Sequence, residues 1–290
     1  MTKFHQDADL FREATRFTNA QTGFSTRLIE KDYFCTVLLE YLTAAGPSLV
    51  FKGGTCLAKV HADFYRLSED LDFMVSVPLE TTRSERRTYA TALKQAVTSL
   101  PRQVPTFRIV QPLTGANNST QYIALLGYSS LLSGQEETVK IEVSLREPLL
   151  TPPLITGVQT VMLDPVSGKP LVHPVKVTCI SRIEAFAEKF RAALSRRDVA
   201  IRDFFDIDFA VRKLNLVPDD PVLVNLIRQK LASPGNELID VSTNRLMELR
   251  RQLEPQLKPV LRDRDFREFD FDRAFGTVTE MATAVETERI

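Results

Sequence analysis

A chain of 290 residues, 43% of them hydrophobic, can bury the core of one large domain or two modest ones, which excludes intrinsic disorder. Lysine plus arginine equals aspartate plus glutamate at 37 each, so no global field draws the chain toward nucleic acid or an anionic membrane, although a local basic face remains allowed. No run approaches the roughly eighteen apolar residues of a membrane-spanning helix, and the N-terminus "MTKFHQDADLFREATRF" lacks a signal-peptide core.

In chain order, residues 6–19 and 25–44 read as helices, the second with Tyr33, Val37, Leu38 and Tyr41 at helical spacing. After Pro47 the pattern shifts to short strands at 49–52, 71–77, about 106–111, 122–129 and 139–147, with a helix between 78 and 100. "NNST" at 117–120 and "SGQEE" at 133–137 read as turns. Residues 148–176 hold six prolines and read as irregular, with one strand at 158–163. From 179 the pattern is helical to near the end, broken at "SPGN", 233–236. The expected organisation is an α+β lobe with a mixed sheet and N-terminal helices over 1–177, then a helical lobe over 178–290. Cys35, Cys56 and Cys179 are odd in number and far apart, which suits a reducing cytoplasm and argues against a disulfide framework or a zinc site. His5, His61 and His173 are scattered, which argues against a histidine-based metal site.

The chemistry concentrates in "LVFKGGTCLAKVHADFYRLSEDLDFMVSV", Leu49 to Val77. In a strand, residues i and i+2 share a face, so Asp70 and Asp72 project together while Leu71 turns into the core. Two adjacent carboxylates raise each other's pKa unless a cation lies between them, and oxygen-only ligands favour magnesium or manganese. A third acid is expected from a neighbouring strand. Glu142 in "TVKIEVSLRE" is flanked by Ile141 and Val143, which point the other way, so it is placed beside the two aspartates. Gly53 and Gly54 let a ligand approach the backbone, Thr55 adds a hydroxyl donor, and a helix expected over 55–64 would turn its anion-binding N-terminus to the same place. Together these suggest a nucleoside triphosphate bound through its metal, in a two-metal scheme. Taken singly, each piece has a plain structural reading: a turn, a solvated strand end, an exposed strand residue. The combination, in this order, carries the inference.

"FKGGTCLAKVHADFYRLSEDLDF" resembles the signature of the AbiEii/AbiGii toxin family of nucleotidyltransferases, within the DNA polymerase β-like superfamily. The superfamily pattern of Gly-Gly/Ser, Asp-x-Asp and a later acid is matched by Gly53-Gly54-Thr55, Asp70-Leu71-Asp72 and Glu142. The family's upstream element is matched by Glu30-Lys31-Asp32-Tyr33, and its helical elements by "EAFAEKFRAALSRRDVAIRDFFDI", Glu184 to Ile207. Threonine replaces the superfamily's serine, and fourteen residues separate Thr55 from Asp70. The resemblance implies a polymerase β-like fold and a catalytic set of Asp70, Asp72, Glu142, Lys189 and Asp203. It implies metal ligation by Asp70, Asp72 and Glu142, and nucleotide binding by Lys52, Gly53, Gly54, Thr55 and Lys189. It also implies the toxin half of a toxin–antitoxin or phage-defence pair, with transfer RNA as acceptor and a cognate antitoxin as partner.

The helix over 181–196 also has a purely physical reading. Ile183, Phe186, Ala187, Phe190 and Leu194 make an apolar stripe, and Arg182, Lys189 and Arg196 a basic row beside it. Such a row is ordinarily a solvated surface, and Asp203 ordinarily an ion-pair partner of a nearby base. Arg66, Arg196, Arg197 and Arg202 are candidates for nucleic-acid backbone contacts. The sequence thus reads as a cytoplasmic, magnesium- or manganese-dependent nucleotidyltransferase. The alternatives are nucleotide transfer to a protein hydroxyl and a non-catalytic nucleotide- or partner-binding module.

Overall fold

Asp7 starts the first long helix: its carboxylate accepts from the Leu10 N–H and the chain turns into α1 (Ala8–Thr22). In α2 (Thr26–Ala44) every residue from Leu28 to Leu39 is buried. A helix covered on all sides belongs inside a core rather than on a surface. Tyr33 and Phe34 pack on Phe11 of α1, and Phe34 also meets Phe107 and Tyr128. The structure, a computed structural model, describes residues 3–44 and 48–287; Pro47, where the sequence pattern changes, lies outside them.

The charges within α2 meet internal partners. Glu30 accepts from the Ser130 hydroxyl and the Leu131 N–H, each at 2.7 Å. Lys31 pairs with Glu69 and Glu137, each at 3.3 Å. Asp32 accepts from the Thr160 hydroxyl and the Val161 N–H at 2.8 Å and pairs with the Lys59 ammonium at 2.5 Å. The Glu30–Tyr33 element therefore ties the central helix to three distant segments.

Beyond α2 the chain forms β1 (Val50–Lys52), α3 (Gly53–Cys56) and a wider π-type turn, Leu57–His61. The helix expected at 55–64 thus begins two residues earlier, at the glycines, and closes at His61. There follow β2 (Leu71–Met74), α4 (Arg83–Gln103), β3 (Arg108–Ala116), β4 (Gln121–Ser129), β5 (Glu136–Ser144), β6 (Leu154–Val158) and β7 (Val175–Cys179). Helix α4 opens on a capping box between Thr82 and Glu85. One seven-stranded mixed sheet has the order β3-β4-β5-β2-β1-β7-β6. Strand β2 runs parallel to β5 and antiparallel to β1, and β1 runs parallel to β7. Along β5, Val139, Ile141 and Val143 are buried and Lys140 and Glu142 face the other way.

The strand expectations of this stretch are corrected here. The strand expected at 158–163 lies at Leu154–Val158, and the proline-flanked run expected to be irregular supplies β7, which ends at Cys179 where helix was expected. Five residues carry too short a pattern to reveal a strand; pairing with β1 and β6 decides it. The cysteines, far apart along the chain, are a separate matter. Cys56, His61 and Cys179, far apart in sequence, bring a sulfur, a ring nitrogen and a sulfur within 4.8 Å of one another. A hydrogen bond with Cys56 and the neighbouring His61 hold the Cys179 thiol down to about 6, against its burial.

The chain divides into two units, Met1–Ile180 and Ser181–Ile290. The second is helical: α5 (Arg182–Ser195), α6 (Ile201–Lys213), α7 (Pro221–Ala232), α8 (Thr243–Arg250), α9 (Asp263–Glu268) and α10 (Phe271–Thr287). Ser181 caps α5 by accepting from the Glu184 N–H. Phe204 of α6 stacks on Phe275 of α10. At the "SPGN" break the Asn236 amide donates to the carbonyls of Lys230, Leu231 and Ser233, satisfying groups the end of α7 leaves open. No helix among the described residues is long and apolar enough to cross a membrane.

Candidate active site

Three strands bring the site together by register. Lys52 of β1 lies opposite Asp72 of β2, and Asp72 lies opposite Glu142 of β5. Asp70, one residue before β2, shares the face of Asp72. The hydrophobic alternation of β2 and β5 forces this: Leu71, Phe73, Ile141 and Val143 fill the core, so the acids between them emerge on the opposite face.

Gly53 sits against this carboxylate cluster with φ +74°, a left-handed conformation that side-chain-bearing residues rarely adopt. A Cβ placed there would lie 2.2 Å from Asp72 Oδ2. The absent side chain of Gly53 is the space the Asp72 carboxylate occupies. A Cβ on Gly54 would meet Arg66 Nη2 at 2.7 Å. Arg66 is 2% exposed and donates to the Leu67 carbonyl, so the expectation that it touches a nucleic-acid backbone is corrected: it is packed beneath the glycine turn. Thr55 is also buried, and its hydroxyl donates to the Asp70 carbonyl. That hydroxyl fixes where Asp70 stands, a different task from the phosphate donor expected of it.

Burial, then the charges of Glu142 and Asp70, push the Asp72 carboxyl up to about 6, with Lys140 and Lys52 opposing. Lys140 stands among the acids, 3.3 Å from Glu142 and 3.7 Å from Asp70. Against burial, which lowers it, the charges of Asp70, Glu142 and Asp72 raise the pKa of Lys140. Gln121 Nε2 donates to the other Glu142 oxygen at 2.6 Å. Sequence reasoning missed both residues. Lys140 was within reach, because it lies two positions from Glu142 on one strand; Gln121 depends on the β4–β5 register, which no local pattern discloses. This donor set fits a hard divalent cation: three carboxylates on one face, one with a raised pKa, held against a cradle that a Cβ would fill.

In the second unit, Lys189 of α5 lies 2.6 Å from Asp203 and 2.8 Å from Asp206 of α6, with Asp206 fully buried. The basic row is therefore interrupted: Lys189 turns to acids within its own unit, while Arg196 and Arg197 remain exposed. A second clasp forms where Lys230 of α7 meets Glu184 and Glu188 of α5 at 2.7 and 3.4 Å.

The sequence model described as nucleotidyl transferase AbiEii toxin, type IV toxin–antitoxin system, matches residues 37–280. The chain belongs to this family. It is accordingly a nucleotidyltransferase of the toxin class, with a nucleotide as substrate and a cognate antitoxin implied as partner. Among solved structures it is similar to MenT4, a nucleotidyltransferase toxin from Mycobacterium tuberculosis H37Rv, at 16% identity and a TM-score of 0.58, covering 97% of this chain and 99% of that one. It is also similar to a candidate nucleotidyltransferase from H. pylori at 15% identity and a TM-score of 0.51, covering 91% and 97% of the two chains. JHP933 from Helicobacter pylori matches at 15% identity and a TM-score of 0.50, covering 91% and 94%. At these identities the likeness is one of fold. No curated protein matches the chain.

Proposed function

We propose that this AbiEii-family enzyme works in the cytoplasm and transfers a nucleoside monophosphate from a nucleoside triphosphate to the terminal hydroxyl of an RNA, with transfer RNA as the first candidate. The observation that carries the reading is the contact of Gly53 with Asp72: a bare backbone turn and a three-carboxylate cluster share one small volume. Asp70, Asp72 and Glu142 would hold magnesium or manganese, which supplies charge neutralisation for the triphosphate and acidifies the attacking hydroxyl. The backbone N–H groups opening α3 at Gly53, Gly54 and Thr55 offer donors to phosphate oxygens, and Lys52 adds positive charge beside them. The acceptor oxygen attacks the α-phosphorus in line, the bond to the β-phosphate oxygen breaks, and pyrophosphate leaves with the electron pair. Glu142 takes the hydroxyl proton. Lys140 is placed to stabilise negative charge on the phosphates when these carboxylates engage their ligands.

The test is Asp72→Asn, which keeps the shape at the Gly53 contact and removes the charge. Incubation of the wild type with radiolabelled triphosphates and total cellular RNA and protein should label RNA, and the variant should label nothing. Expression of the wild type should slow growth and the variant should not. Label on RNA at the wild-type rate with Asp72→Asn sinks the assignment of the site; label on protein alone moves the acceptor to a protein hydroxyl.

A further inference from the structure

Cys56, His61 and Cys179 lie outside the carboxylate site, and nothing in the nucleotidyl-transfer chemistry uses them. Both cysteines are fully buried and unbridged, and His61 is half-buried. Their ligand atoms are all within 4.8 Å of one another. A zinc ion with bonds of about 2.3 Å to sulfur and 2.0 Å to nitrogen spaces tetrahedral ligand atoms about 3.5–3.8 Å apart, so no pair has to close by more than about 1.3 Å.

We propose that Cys56, His61 and Cys179 form a binding site for a thiophilic divalent cation of the zinc class, with a fourth position left to solvent. Three observations converge on it. The first is charge: two thiolates and a neutral imidazole balance a divalent cation, leaving no net charge in a buried place. The second is ring orientation. The His61 Nε2 lies 3.0 Å from the Ile180 carbonyl, and the tautomer that donates there leaves the lone pair on the other ring nitrogen. The third is the backbone. His61 ends the π-type turn, and two residues later Asp63 and Phe64 take left-handed φ values of 45° and 51°, uncommon for side chains of this kind. The Phe64 N–H donates to the Ala58 carbonyl and closes that turn.

The placement gives the ion a task. Cys56 lies in the first helical turn after β1, His61 closes the segment, and Cys179 ends β7, the parallel neighbour of β1. A bound ion therefore pins both halves of the Gly53–His61 segment to the sheet. This site stands whether or not that turn binds phosphate, because its readout is metal binding alone.

The experiment is cobalt substitution of the full chain, purified with reductant, exchanged into chelator-free buffer and titrated with cobalt, then zinc. The expected result is sulfur-to-cobalt charge-transfer absorption in the near ultraviolet, strong d–d bands of tetrahedral cobalt, and loss of both when zinc displaces it. Zinc should also raise the thermal midpoint, and a chelator should reverse this. Cys179→Ser should abolish the charge-transfer band. His61→Ala, at a half-buried position that disturbs the core least, should weaken cobalt binding at least about tenfold, since even groups that only orient a ligand cost that much. Cys35→Ala removes a cysteine outside the cluster and should change nothing. A reduced wild type that takes up no cobalt overturns the proposal. So does a charge-transfer band that survives in both folded variants, Cys179→Ser and His61→Ala.

Discussion

At the scale of single residues, Gly53 and Asp72 define each other. The left-handed φ of Gly53 costs any L side chain about 1–2 kcal/mol, and the position of a Cβ is already taken by the Asp72 carboxylate. Gly53→Ala is therefore expected to lower stability by at least about 1 kcal/mol and to abolish transfer, because the carboxylate must leave its place. Denaturant unfolding and a single-turnover assay check the two effects separately. Asp72 also sets a pH dependence. Its folded pKa of about 6 stands above the ordinary 3.8, so between those values the folded chain holds a proton that the unfolded chain has released. Stability from this group is present at low pH and lost as pH rises through that window. In chelator, the thermal midpoint of the wild type relative to Asp72→Asn should fall from pH 4 to pH 6, leaving the asparagine variant the more stable above. Magnesium should then raise the wild type and leave the variant unchanged. A variant less stable than the wild type throughout that range in chelator contradicts the burial and repulsion acting on Asp72.

At the scale of elements, helix α2 shows how charges enter a core. Lys59 and Asp32 have side chains 0% and 3% exposed and lie 2.5 Å apart, with Thr160 and Val161 donating to the same carboxylate. Such a pair adds little net stability, but breaking it leaves a buried charge without its counter-charge. Lys59→Met is expected to cost about 3–5 kcal/mol, measured as a shift in denaturant midpoint at unchanged slope. A cost under about 1 kcal/mol would place water at the pair. The sequence signal was ambiguous here. "EKDY" carries three charges in four residues and reads as a surface, whereas Glu30, Lys31 and Asp32 are all buried. The same ambiguity held for Lys189, whose spacing from Arg182 and Arg196 reads as a solvated row and whose ammonium is clasped by Asp203 and Asp206. Helical periodicity reports where a side chain leaves the helix, and nothing about the element it meets.

At the scale of the whole molecule, the zero formal charge bears on RNA. Each phosphate neutralised contributes about −0.9 to the slope of log K against log salt for duplexes and about −0.7 for single strands. With no global field, the slope should reflect only a few local contacts. Arg196 of the second unit's basic row and its neighbour Arg197, with side chains 54% and 82% exposed, are the candidates to make them. Arg196→Glu with Arg197→Glu is expected to flatten that slope by about one to two phosphates and to suppress RNA labelling, leaving triphosphate binding near the wild-type value. An unchanged slope removes these arginines from the RNA surface.

Much of the candidate site was legible along the chain because its grammar is local. The one-residue gap between Asp70 and Asp72 sets a shared face, the alternation through "VKIEV" turns Glu142 away from the core, and paired glycines after an apolar run mark a backbone that must stay bare. These follow from the geometry of a few consecutive residues, so they survive without knowledge of any partner. Adjacency across the sheet is of another kind. That Gln121 reaches Glu142, that "VKVTC" is a strand at all, and that Cys56, His61 and Cys179 converge depend on which strands pair and in what register. Pairing is settled by hydrogen bonds and buried apolar area between segments up to 128 residues apart, as Phe51 and Cys179 are, and a local pattern carries no label for its partner. The sequence therefore determines which face each of these side chains takes, and the pairing of strands in the sheet determines which of them meet.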